Sequence, residues 1–322
     1  MTYANAIRFY DHQPDFASLR DEVLAGLTAQ PKAIPPKFFY DERGSQLFDA
    51  ICELPEYYPT RTEIAILRHH AHEIAELAGP ETLLIELGSG ASKKVRLLLE
   101  AVRPAVYMGV DISKNFLLQA TAKLAADYPW LDVHAACADF SQHLNLSYCP
   151  TEFKKLAFFP GSSIGNFEPN QAVVLLEQLK ETLTPDGALL IGVDLKKEPR
   201  ILNAAYNDTQ GVTADFNLNL LQRIKNELDT DLNPEQFQHR AFYNETRGRI
   251  EMHLVSRQSQ QLRIEDSQFR FAAGETIHTE NSYKYSVEEF QRLAIAAGYR
   301  PEQVWIDPQQ LFSVHYLHLN GI

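Results

Sequence analysis

Between residues 61 and 196 short apolar runs alternate with amphipathic stretches, and this rhythm limits the fold more than anything else in the 322 residues. "TLLIEL", "VYMGVDIS", "LDVHAACADF", "KKLAFFPGSSI" and "ALLIGVDL" read as strands, several of them apolar without alternation, as strands buried on both faces are. The stretches "SKKVRLLLEAV", "FLLQATAKLAADY" and "PNQAVVLLEQLKETL" repeat apolar residues every three or four positions and read as helices. "RTEIAILRHHAHEIAELA" has the same period and reads as a helix ahead of the first of these strands. Strands joined by helices of this length predict βαβ units and a parallel sheet, so the fold class is α/β.

After Leu195 the rhythm changes. Residues 196–285 contain one polar helix, roughly "VTADFNLNLLQRIKNELD", then "RIEMHLVSR" and "QLRIEDSQFRFAAGE", whose alternation predicts antiparallel strands with one polar face. The sheet pattern then returns. "SVEEFQRLAIAAGY" opens with Ser286 and carries Glu289 three residues on, the signature of a capping box. "RPEQVWID" and "LFSVHYLHL" follow as two strands that can close the sheet as a hairpin. The expectation is one α/β domain interrupted by an insertion, with the first 60 or so residues packing against that insertion.

Composition narrows the function. A formal net charge of −12 repels phosphate backbones, so no nucleic-acid partner is expected. The apolar runs are too short to cross a bilayer, so no membrane partner is expected either. "MTYANAIRFYDHQPDF" holds Asp11 and Asp15 and has no apolar core of a signal peptide; the expected compartment is cytoplasmic. Three widely spaced cysteines, Cys52, Cys137 and Cys149, suggest neither a disulfide framework nor a zinc site. In "RHHAHE" His69 and His72 would share a helix face with no third ligand nearby, so no metal is expected.

"ELGSGASKK", at the end of the first strand of the alternating region, is the turn that would hold a ligand. A P-loop needs GxxxxGK[ST], and the lysines here follow Gly90 by three and four residues, so that pattern fails. A dinucleotide fingerprint fits at Gly88 and Gly90 but meets Lys93 where a small residue is needed for close helix–strand packing, which argues against a nicotinamide oxidoreductase. An acidic residue followed by x-G-x-G, as in Glu86-Leu87-Gly88-Ser89-Gly90, suits S-adenosylmethionine. Glycines let the backbone approach the ligand closely. Glu86 brings a carboxylate to the ligand's ammonium or to a structural donor, and Lys94 can reach its carboxylate. Asp111, closing the next strand, can accept ribose hydroxyls, and Asp139 can accept from the adenine amino group with Phe140 packed nearby. Each acid alone could equally cap a helix. Together they predict a class I, Rossmann-like methyltransferase core.

The chain also resembles the L-histidine Nα-methyltransferases of ergothioneine biosynthesis, which make hercynine. The resemblance spans nearly the whole chain and rests on "KFFYDERGSQLFDAICELPEYYPTRTE" (37–63), "ELGSGASKK", "FFPGSSIGNF" (158–167), "IEMHLVS" (250–256) and "TENSYKYS" (279–286). It implies a substrate domain made of residues 1–61 and 197–286, and a methyltransferase core made of 62–196 and 287–322. It also implies an L-histidine substrate, bound by Tyr57, Gly161, Asn166, Tyr206, Glu280 and Ser282, with Tyr40 and Met252 lining the site. A monomer is expected.

The chemistry agrees with those residue types. Glu280 and Ser282 alternate along an extended segment and so share a face, where a carboxylate and a hydroxyl can address both imidazole nitrogens. Asn166 can bond amine and carboxylate at once, and Tyr206 can donate to the carboxylate. The transfer needs a neutral amine, so a group must take or relay its proton; Tyr40, the Gly161 carbonyl or water can do so. Related enzymes acting on tryptophan derivatives share the architecture, so selectivity for histidine depends on Glu280 and Met252. A protein that binds the cofactor without turnover is a further alternative.

Overall fold

The structure is a computed structural model that describes residues 7–12, 19–140, 150, 152–183 and 185–319; Cys149 lies outside them. In chain order, β1 (Arg8–Asp11) is followed by α1 (Leu19–Thr28) and α2 (Glu42–Cys52), then α3 (Tyr58–His69) and α4 (Ala71–Ala78). The alternating region comprises β2 (Thr82–Leu87), α5 (Val95–Val102), β3 (Val106–Asp111), α6 (Lys114–Asp127), β4 (Asp132–Cys137), β5 (Lys154–Phe159), α7 (Pro169–Leu183) and β6 (Ala188–Asp194). The interruption holds α8 (Pro199–Ala205), α9 (Val212–Glu227), β7 (Phe237–Asn244), β8 (Arg249–Ser256), β9 (Gln260–Ile264), β10 (Ser267–Phe271) and β11 (Thr276–Tyr283). It is followed by α10 (Val287–Ala296), β12 (Tyr299–Ile306) and β13 (Phe312–Leu319). These elements form two compact units, the first made of Met1–Pro14, Pro59–Lys196 and Lys284–Ile322, the second of Asp15–Tyr58 and Lys197–Tyr283.

The first unit is built on an eight-stranded sheet of order β1-β4-β3-β2-β5-β6-β13-β12. Its members from β1 to β6 pair in parallel, and β13 runs antiparallel to both β6 and β12. Every residue of β2 is buried, which is why "TLLI" tolerates no polar alternation. Leu84, Phe158, Leu190 and Tyr316 of the sheet pack with Leu98 and Leu99 of α5 in one core cluster. After β2 the chain builds outward through β3 to β4, then returns to β5 on the other side of β2. Doubly wound sheets bind ligands at the strand ends beside such a reversal.

Two local features depart from the sequence reading. The single long helix breaks at His70, whose backbone leaves helical geometry at φ −106° and ψ 13°. His70 Nδ1 hydrogen-bonds Glu73 Oε1 at 2.8 Å, while the other Glu73 oxygen accepts from Trp305 Nε1 at 2.8 Å, so the break serves a contact with β12. His69 and His72 consequently sit in different helices, both exposed. Strand β1 joins the edge of this sheet, whereas the sequence reading places residues 1–61 with the insertion; at four residues it is too short to show a period. The C-terminal hairpin and the Ser286–Glu289 capping box both form as expected.

The second unit carries a three-stranded antiparallel sheet of order β11-β8-β7 and a separate β9–β10 hairpin. Helix α9 lies on the sheet: Asn217 donates to the His253 carbonyl at 3.1 Å and accepts from Thr279 Oγ1 at 2.8 Å. Its first turn is satisfied by Asp208, which accepts from the N–H groups of Val212 and Thr213 at 2.9 and 2.8 Å. Helix α8 was not legible in the sequence; its seven residues are too few for a clear helical period. Among the described residues no helix is long and apolar enough to cross a membrane.

Candidate active site

The glycine turn takes the form its sequence requires. Gly88 and Gly90 have φ of +67° and +47°, the left-handed region that a side chain disfavours. The Gly90 N–H donates to Asp111 Oδ2 at 2.9 Å, and Ser113 N–H donates to Oδ1 at 2.9 Å, so the acid closing β3 is built into the turn. Burial raises the Asp111 carboxyl above its usual range, against these two N–H donors and that of Ile112. Asp139 and Phe140 lie just beyond the end of β4, both half-buried. The Phe140 ring edge comes 3.6 Å from where a Gly88 Cβ would sit, and its face is set by Phe159 in an edge contact at 5.4 Å.

Glu86 proves to have a structural donor. It is 1% exposed, and Tyr107 donates its hydroxyl hydrogen to Oε2 at 2.6 Å. Burial pushes the Glu86 carboxyl up to about 8, partly offset by Tyr107 and Lys94. Lys94 engages a residue the sequence reading did not single out. Its Nζ lies 2.6 Å from Glu63 Oε2, and Glu63 also accepts the Gly161 N–H at 2.9 and 3.1 Å. Glu63 closes the 37–63 block, and mid-strand Gly192 marks the close approach it makes, a signal legible in principle. Asn166 ends the short 3-10 turn Ser163–Asn166 of the same loop and is half-buried.

In the second unit the structure brings most of the expected substrate residues together. Tyr206 donates to Ser282 Oγ at 2.9 Å, and its ring meets Tyr57 edge-on at 6.3 Å. Glu280 and Ser282 pair with Met252 and Ile250 of β8, so they occupy alternate positions on one face of β11. All five of Tyr57, Tyr206, Met252, Glu280 and Ser282 are buried. Burial raises the Tyr57 hydroxyl well above its ordinary value, with Tyr206, Cys52, Glu280 and Tyr40 adding to the effect. Tyr40 is held edge-on by Phe48 and Phe216, each at 5.7 Å.

The family model for histidine-specific, S-adenosylmethionine-dependent methyltransferases matches residues 19–319. The chain belongs to that family. It is 44% identical over 303 residues to the histidine N-alpha-methyltransferase of Mycolicibacterium smegmatis, covering 92% of this chain and 94% of that one. Identity to the Mycobacterium tuberculosis protein of the same name is 39% over 296 residues, covering 90% and 91%. A more distant relative is the 4-dimethylallyltryptophan N-methyltransferase of Claviceps purpurea, at 27% over 337 residues and 94% and 95% coverage.

As a member of this family the chain is an enzyme with a class I methyltransferase core and uses S-adenosylmethionine. The residues present fit that cofactor: two left-handed glycines at a buried strand end, carboxylates closing the neighbouring strands, an aromatic ring over the turn and a lysine beyond it. A second polar cluster has a different character. Glu251, His253 and His278 bring potential ligand atoms within 4.8 Å of one another. Arg249 and Asn244 already occupy Glu251, and the two imidazoles stack at 4.7 Å and 18°, so their in-plane lone pairs run side by side instead of converging. This cluster reads as bracing between β8 and β11.

Proposed function

We propose that the protein trimethylates the α-amine of L-histidine to hercynine, as a step of ergothioneine biosynthesis, acting as a monomer. The observation that carries the substrate assignment is the pairing of Glu280 and Ser282 on one buried face of β11, with Tyr206 bonded to Ser282. A buried carboxylate and hydroxyl two residues apart suit an imidazole, with one acceptor and one adaptable partner for its two nitrogens. An apolar side chain would leave them unsatisfied, and that kind of mismatch gives large discrimination.

When bound, S-adenosylmethionine supplies an electrophilic methyl on a sulfonium. The chain's part is to hold it by Gly88, Gly90, Lys94, Asp111, Asp139 and Phe140, with Glu86 bracing the turn from below through Tyr107, and to present a neutral amine in line with it. We assign the amine and carboxylate of histidine to Asn166, and the carboxylate also to Tyr206, whose single hydroxyl hydrogen would turn to it from Ser282 Oγ when the substrate binds. Tyr57 and Met252 line the pocket. The amine proton leaves to solvent water, with the Tyr40 hydroxyl and the Gly161 carbonyl accepting hydrogen bonds along the relay. We assign the protein to the cytoplasm, in keeping with the free thiol of Cys137.

The deciding experiment incubates purified protein with S-adenosylmethionine and a panel of amino acids, read by mass spectrometry. Three methyl groups added to histidine is the expected product. Methylation of a tryptophan derivative instead, or binding without turnover, would overturn the assignment.

A further inference from the structure

The most deeply buried ionic contact near the glycine turn involves a residue outside the assigned set. Glu63, on α3, has no exposed surface, yet its carboxylate meets the Lys94 ammonium and the Gly161 N–H. Room for it is made by Gly192 of β6, where a Cβ would fall 2.0 Å from Glu63 Oε1. Gly161 has φ of +77°, and a Cβ there would lie 3.4 Å from Lys94 Nζ. One carboxylate thus ties the lysine after β2 to the loop after β5, the two strands that flank the chain reversal.

A lysine side chain is a flexible stem with three donors, and fixing one of them restricts where the others point. We infer that Glu63 is a positioning residue: it holds the Lys94 ammonium so that the remaining donors meet the methionyl carboxylate of the cofactor, and it fixes the Gly161 backbone beside it. Burying the carboxylate is tolerated because both its oxygens are hydrogen-bonded and its charge is matched. This inference rests on the cofactor reading of Lys94 given above and deepens it.

The test compares two ligands that differ in the group Lys94 would meet. S-adenosylhomocysteine carries the amino-acid carboxylate, whereas 5′-methylthioadenosine keeps the adenosyl part and lacks it. Calorimetric titration of the wild type, Glu63→Gln, Lys94→Met and the double variant with both ligands reads the role directly. Glu63→Gln should weaken S-adenosylhomocysteine about tenfold, the loss expected when a charged hydrogen-bond partner is removed. Affinity for 5′-methylthioadenosine should not change, which also shows that the variant is folded. In the Lys94→Met background the Glu63→Gln substitution should have no further effect on S-adenosylhomocysteine, because Glu63 acts through the lysine. Equal loss for both ligands, independent effects of the two substitutions, or no effect of Glu63→Gln would overturn the inference. A wild type that binds neither ligand would instead overturn the reading of the glycine turn.

Discussion

Tyr107 donates its hydroxyl hydrogen to Glu86 Oε2 across 2.6 Å, and both side chains are sealed within the sheet that carries the glycine turn. Burial pushes the Glu86 carboxyl from 4.5 up to about 8, so in the folded protein it holds a proton at neutral pH that the unfolded chain has lost. The folded state binds more protons throughout that window. Glu86 therefore contributes stability that is complete below pH 4.5 and is lost as pH rises to about 8. The slope is at most about 1.4 kcal/mol per pH unit. Glu86→Gln should flatten stability between neutral pH and pH 8, measured by urea unfolding across that range.

His315 has the opposite sign. It is fully buried on β13, with Nε2 2.9 Å from Ser313 Oγ, and burial lowers it from 6.5 to about 3. The unfolded chain takes up this proton first. The contribution of His315 is present above pH 6.5 and is lost as pH falls toward 3. His315→Gln should make acid unfolding shallower in that range, by up to about 1.4 kcal/mol per pH unit at its steepest. An unchanged acid limb would show that other groups control it.

The parts of this architecture that were legible in the sequence are those whose signal is local. The apolar run of β2 and the three-residue spacing of Ser286 and Glu289 each announce themselves within a few positions. Glu63 does not, because its partners Lys94 and Gly161 lie 31 and 98 residues away and only the folded sheet brings them together. Tyr107 was hidden likewise, 21 residues from Glu86 near the start of β3. Glu280 and Ser282 came through the alternation of an extended segment together with family resemblance, and β11 gives them the shared face that alternation predicts. The break at His70 had no local cue, since the three-and-four repeat runs on across it and the competing contact is with distant Trp305.

A buried ion pair sits where the chain re-enters the first unit. Lys284 Nζ lies 2.7 Å from Asp194 Oδ2, and each side chain is 1% exposed. Removing one partner leaves an uncompensated buried charge, which costs about 3–5 kcal/mol. Lys284→Met or Asp194→Asn alone should therefore lower stability by that order, measured by chemical denaturation. The double variant should recover part of the loss, because neither the methionine nor the asparagine carries a charge that has to be desolvated.

The Tyr206–Ser282 hydrogen bond orders two side chains assigned to histidine recognition. Tyr206→Phe keeps the ring against Tyr57 and removes only the hydroxyl. A lost hydrogen bond of this kind is worth about 1 kcal/mol, or more if the partner is charged. The expected outcome is an increase in KM for histidine of about fivefold to tenfold, with S-adenosylhomocysteine affinity unchanged in calorimetry. An effect on cofactor affinity alone would move Tyr206 out of the substrate set.

Glu280 is the side chain on which selectivity for histidine turns. It is 9% exposed and faces Met252 across the β8–β11 ladder, so little water can replace it around an imidazole. In Glu280→Ala a buried ring N–H would lose its acceptor, a mismatch that costs about 100-fold or more in kcat/KM where recognition depends on hydrogen bonding. Glu280→Gln retains an acceptor without the charge and should fall between the two. Steady-state kinetics with histidine, run beside S-adenosylhomocysteine binding as a check on folding, separates the outcomes. Unchanged histidine kinetics in Glu280→Ala would remove the imidazole from this face of β11, and a gain of activity on an aromatic amino acid without a ring donor would identify what the pocket takes instead.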